Sequence, residues 1–101
     1  MIIDLNAVTG FDWDRGNERK SVEKHAVSQK EAEEAFFNQP LLTMPDHLHS
    51  GMEPRFHLLG AADDGRKLHI TFTLRRGGTL IRIISARDMS QKERSIHGKA
   101  S

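Results

Sequence analysis

The 101-residue chain contains no cysteine and no tyrosine, and only one tryptophan and three prolines. Without cysteine there can be no disulfide, no thiolate nucleophile and no thiolate zinc site. A reducing cytoplasm agrees with that, and is the expected location. No apolar run approaches the roughly 18 residues of a membrane span. The start, MIIDLNAVTG, carries an acid and no positive leader, so no signal peptide is expected. A Gly-rich phosphate loop, a nucleophile elbow and an H-E-x-x-H pair are all missing, which removes the nucleotide-fold, serine-hydrolase and zinc-peptidase readings. Charge of one sign is missing too. Fifteen Lys and Arg stand against fourteen Asp and Glu, so any affinity for a polyanion must come from where charges sit.

What is present suits one small domain over residues 1–101. Hydrophobic residues make up 37% and charged residues 29%, the balance of a water-exposed globular chain. At this length about two thirds of the unfolded surface can be buried, enough for one sheet with helices on one face. Residues 11–13 alternate apolar and polar like a short edge strand, and Asp14 can cap a modest helix over residues 15–25. Ser28 and Glu31 form an S-x-x-E capping box, and Ala32, Ala35 and Phe36 follow at helical spacing, predicting a helix over residues 29–38. The period then changes from 3.6 to 2. Strands are expected over residues 41–44, 55–60, 67–75 and 79–86, with a loop at 45–54 and turns at Asp64-Gly65 and Arg76-Gly77-Gly78. Ser90 and Glu93 repeat the capping box and start a short helix running to about His97. The expected fold is α+β, with two N-terminal helices on one face of a small antiparallel meander and a short C-terminal helix.

Strand alternation sorts the meander into two faces. Phe56, Leu58, Leu68, Ile70, Phe72, Leu74, Ile81 and Ile83 fall on one. Arg55, His57, His69, Thr71, Thr73, Arg75 and Arg82 fall on the other, with no acid among them. The bland reading of that second face is ordinary solvation; the sharper reading is a phosphate-binding surface. Arg75, Arg76, Arg82 and Arg87 lie close together in sequence, and the guanidinium fork suits phosphate by donating two parallel hydrogen bonds. Arg75 and Arg76 read first as hairpin-tip solubility. Arg82 differs, because it interrupts an apolar strand, where a charge needs an open face or a partner. Lys24-His25 pairs a permanent cation with a group that titrates near neutrality, although a helix-end hydrogen bond is the simpler role for His25. Asp46, His47 and His49, with His57 and His69, raise a metal site. Their spacing is loose and matches no zinc motif, so neither a metal nor a cofactor is expected.

Five stretches in order are FDWD (residues 11–14), KHAVSQKEAEEAF (24–36), DHLHS (46–50), RFHLLG (55–60) and IRIISARDMSQKER (81–94). Together they resemble the BrnT family of bacterial toxins, and they cover nearly everything between residues 11 and 94. The family pattern falls on Trp13, Lys24, His25, Ser28, His49, Arg55, Gly60, Arg82, Ser85, Arg87, Glu93 and Arg94. Of these, Trp13 is expected to pack, Ser28 and Glu93 to cap, and Gly60 to turn. Departures are Arg15, Ser21 and Ala26 where the family often has Pro, Asn and Gly, and the lack of an aromatic near His97, where a RelE-like enzyme can use a Tyr.

The resemblance implies a RelE-like fold and a ribonuclease that inhibits translation. It also implies a co-encoded, DNA-binding antitoxin of the BrnA type as partner, with RNA as substrate, no membrane, and a dimer or larger assembly with the antitoxin. The implied reaction is attack of the RNA 2′-hydroxyl on the adjacent phosphate, without a metal if cations carry the transition-state charge. Lys24, His25, Arg55, Arg82 and Arg87 are the expected catalytic residues, and His69, Arg75, Arg76 and Arg94 the expected RNA contacts. His97 and His69 are further proton-transfer candidates. Two rival readings use the same surface: a non-catalytic RNA- or ribosome-binding module, and a partner-binding protein. The lack of stacked surface aromatics favours catalysis over sequence-reading binding.

Overall fold

The computed structural model describes residues 4–17 and 25–100. Five strands form one sheet: β1 (Gly10–Phe11), β2 (Leu42–Asp46), β3 (Arg55–Ala61), β4 (Lys67–Arg75) and β5 (Leu80–Asp88). They are accompanied by α1 (Gln29–Glu34) and α2 (Gln91–Lys99), with a 3-10 turn at Leu5–Ala7. The strand order is β1-β5-β4-β3-β2. From β2 to β5 the sheet is the expected antiparallel meander, but β1 joins the far edge parallel to β5. The sheet is therefore mixed, correcting the all-antiparallel expectation. A two-residue strand carries too little pattern to declare its partner, and a parallel partner is reached only through a long crossover.

Both capping boxes form: Ser28 accepts from the Glu31 N–H and Ser90 from the Glu93 N–H, with each Glu reaching back. Asp14 takes the Gly16 and Asn17 N–H groups, as a cap should. The rest of that expected helix, residues 18–24, lies outside the described residues. Ala26, where the resemblance led us to expect Gly, has φ 53°, the left-handed region that favours glycine. Gly60 was expected to turn. Instead it sits inside β3, where a Cβ would meet the Ala35 carbonyl oxygen at 2.6 Å, so the glycine lets α1 lie against the sheet.

The core fills the space between α1 and one face of the sheet. Val27, Ala32, Ala35 and Phe36 pack on Phe56, Leu58, Ile70, Phe72, Ile81 and Ile83. Phe36 meets Phe11 and Phe72 edge-on, at centroid distances of 5.5 and 5.1 Å. The C-terminal helix goes to the opposite face. Glu93 on α2 reaches Arg87 and His69, and Leu59, which alternates to that same face, is 1% exposed. Helices thus lie on both sides of the sheet; the sequence pattern placed the two N-terminal helices on one face and gave no face to the C-terminal one.

Candidate active site

Beyond α2, the second face of the sheet is mostly half-buried, with Arg55 exposed and Thr73 covered. Cross-strand register arranges it in rows: Arg55, Thr73 and Arg82; then His57, Thr71 and Ser85; then Leu59, His69 and Arg87. A bulge opposite Thr71 and Phe72 leaves Ile84 as an extra residue, because Thr71 pairs with Ser85 and Phe72 with Ile83. That insertion resets the alternation of β5 and brings Arg87 to the same face as Arg82. Asp46, Leu48, His49, Arg55, His57, Thr71, Ile84 and Ser85 line a shallow groove here.

The face is not acid-free, which corrects the expectation drawn from strand alternation. Acids arrive from flanking segments. Asp14 lies 2.9 Å from Arg82 and Asp12 3.7 Å, both delivered by the chain leaving β1. Asn17 fixes that segment by donating to the Asp12 and Ile83 carbonyls. Hydrogen bonds from Asn17 and Arg82 hold the Asp14 carboxyl below its ordinary value. Arg87 meets Glu93 through both ends of its fork, at 2.8 and 3.0 Å. That contact drives the Glu93 carboxyl down to about 2 and the Arg87 guanidinium up. Arg75 is paired with Glu53 at 2.7 Å. Arg55 is exposed and enters no ion pair among the described residues, although its N–H is tied to the Ser50 hydroxyl.

The DHLHS stretch builds the groove wall. Asp46 accepts from the Leu48 and His49 N–H groups and from the His49 ring. Ser50 closes the loop by donating to the Asp46 carbonyl and accepting from Arg55. This loop, expected from sequence over residues 45–54, is held at both ends. The second Asp46 contact is the important one: its carboxylate lies 2.9 Å from His57 Nε2, while His57 Nδ1 lies 3.0 Å from the Thr71 hydroxyl. Burial alone would raise the Asp46 carboxyl, but the hydrogen bonds from His49 and His57 outweigh it and leave it low. His69 packs its ring 4.9 Å from that of His57. Burial first, and then the charge of Arg87, hold the His69 imidazole below its usual value.

The structure scatters the other expected residues. Arg76 is exposed at the hairpin tip with φ 53°, and Arg94 is exposed on α2. His97 is buried and bonded to the Pro40 carbonyl at 2.8 Å, a packing role that removes it from proton transfer. His25 is exposed, outside the groove lining, and its carbonyl accepts from Arg66. Lys24 lies outside the described residues. Sequence reasoning missed two positions. Arg66, just past the turn at Asp64-Gly65, gathers Asp88, Glu31 and the carbonyls of His25 and Ala26. The second is the Asp46–His57 pair: the sequence pattern put His57 on the polar face and joined it to Asp46 only through a metal cluster that matched no motif. Pairing β2 with β3 as a hairpin would have found it, because Asp46 falls opposite Arg55, two residues before His57. Among the described residues, no three His, Asp or Glu converge as a metal cage requires, and no helix is long and apolar enough to cross a membrane.

Fold and site together define a small α+β protein whose sheet is backed by a helix on one side and bears arginines and histidines on the other. The family model for BrnT, the ribonuclease toxin of a type II toxin–antitoxin system, matches residues 13–93, and the chain belongs to that family. Membership makes RNA the substrate and an antitoxin the partner. No curated protein matches the chain by sequence.

Proposed function

We propose that this toxin is a metal-independent endoribonuclease acting in the cytoplasm through the second face of β3, β4 and β5. The RNA 2′-hydroxyl attacks the adjacent phosphate, leaving a cyclic phosphate and a free 5′-hydroxyl, and translation falls as messages are cut. Arg55 supports the reading most directly, since its charge is exposed beside the groove and unpaired among the described residues. Arg82 and Arg87 join it once phosphate competes with their carboxylates, and a fixed cation stabilises the added negative charge. Lys24 and His25 remain proton-transfer candidates by family resemblance, with His69, Arg75, Arg76 and Arg94 as RNA contacts. A BrnA-type antitoxin, in a dimer or larger complex, neutralises the protein by covering this face.

The ion pairs that hold Arg75, Arg82 and Arg87 favour a second reading, an RNA-binding module without catalysis. One assay separates the two. Purified protein is incubated with RNA, and with DNA of the same sequence, in excess chelator. Cut RNA carrying cyclic phosphate ends, with intact DNA, is the expected result. Cleavage that requires an added divalent ion overturns metal independence, and retention of RNA without cleavage favours the binding module.

A further inference from the structure

We infer that His57, oriented by Asp46, is the base that takes the 2′-hydroxyl proton in this groove; the inference rests on the ribonuclease reading above. A carboxylate can only accept, so the 2.9 Å contact with Asp46 places the ring proton on Nε2. Nδ1 then carries the lone pair. In the free protein that lone pair accepts from the Thr71 hydroxyl at 3.0 Å. The partner on Nδ1 is thus a hydroxyl, the group an RNA ribose would offer in its place. Substrate exchanges one O–H for another and leaves the ring where it stands.

The neighbours suit the task. Arg55 precedes His57 by two residues on β3, so both side chains leave the same face, cation beside base. Asp46 from β2, His49 from the loop, Arg55 from β3 and His69 from β4 are the charged or titratable groups around the ring. The Asp46 carboxylate stabilises the imidazolium that forms when the proton arrives. Other histidines fit less well. Burial, and then the charge of Arg87, lower the proton affinity of His69, its Nδ1 has no partner among the described residues, and it sits beside the α2 contact. The His49 side chain is 67% exposed and bonded only on its Nδ1 side, against 24% for His57, which is fixed at both ring nitrogens.

The step balances within these groups and water. The 2′-hydroxyl proton moves to His57 Nδ1 as the O2′–P bond forms. The P–O5′ bond breaks, its electron pair leaves on O5′, that oxygen takes a proton from water in the groove, and the hydroxide left behind takes the proton back from His57 Nδ1. Base catalysis of this kind contributes about 10²–10⁴-fold.

The test compares wild type, His57→Ala, His57→Gln and Asp46→Asn on one RNA in chelator, each checked for a folded melting transition. Both His57 variants should lose about 10²–10⁴ in cleavage rate. Added imidazole should restore part of the His57→Ala rate, which a purely structural histidine would not allow, and Asp46→Asn should fall without being rescued. An active wild type with folded His57 variants that cut within a few-fold of it, or a His57→Ala loss that imidazole leaves unchanged, overturns this inference alone. A wild type that cuts nothing overturns the ribonuclease reading and this inference with it.

Discussion

Asp14 caps a turn through its Oδ1 and holds Arg82 through its Oδ2, so one carboxylate joins the start of the chain to the middle of β5. Asn keeps the capping function and removes the charge. Asp14→Asn should therefore leave the fold intact while releasing Arg82 towards phosphate. We expect tighter RNA binding, with a salt dependence steeper by about one counterion. Arg82→Ala should do the reverse, melting close to wild type because its partner Asp14 is 56% exposed and an ion pair that water reaches contributes little. Its cleavage should fall about 10²–10³-fold, as when one preorganised donor is lost. Binding isotherms at several salt concentrations measure the first effect. Equal slopes for Asp14→Asn and wild type would show that Arg82 does not meet RNA.

Glu93 links folding to acid. Its carboxyl sits at about 2, drawn there first by Arg87, against an ordinary 4.5. A carboxyl lowered on folding contributes its full stability above about pH 4.5, and loses it as pH falls towards about 2. His69 adds to the same trend higher up. Its folded value lies below the ordinary 6.5, so stability declines once the unfolded imidazole begins to take protons below that pH. Glu93→Gln can still cap α2 but cannot hold Arg87 as an ion pair. It should be less stable at pH 7, with a shallower decline between pH 5 and pH 3. Urea unfolding at those pH values tests this, and parallel curves would refute the linkage.

Gly60 meets a constraint that a flexible neighbour could not relieve. The atom 2.6 Å from its would-be Cβ is the Ala35 carbonyl oxygen, part of the backbone just after α1. Gly60→Ala should push that segment off the core and destabilise the protein by about 1–3 kcal/mol. Gly51→Ala is the control, since nothing lies within 4 Å of its Cβ position. A Gly60→Ala melting temperature matching the control would show that the helix shifts freely.

Local signals predicted what local physics controls. The alternation from Lys67 to Arg75 marks β4 at its observed bounds, and the two S-x-x-E boxes mark the starts of α1 and α2. The site depended on longer-range facts. Period 2 fails at Ile84, so Arg87 joins the face through a bulge that no alternation predicts. The acids neutralising Arg82 and Arg87 come from Asp12, Asp14 and Glu93, outside the strands or beyond their ends. Single-strand alternation therefore found Arg82 on this face but not Arg87, and overlooked the acids that pair with both. Asp46 and His57 met only through pairing of neighbouring strands, which one strand's pattern does not contain.

The parallel pairing of β1 with β5 also sets an order of assembly. Gly10 and Phe11 lie against Leu80 and Ile81, and the Thr9 hydroxyl bonds a carbonyl 70 residues away. During synthesis the amino-terminal strand must wait for most of the chain to be made. The hairpins from β2 to β5 can close first, since their contacts are local and the long loop is entropically the slower to shut. Asp12 and Asp14 travel with β1, so Arg82 keeps its bare charge until this last strand docks.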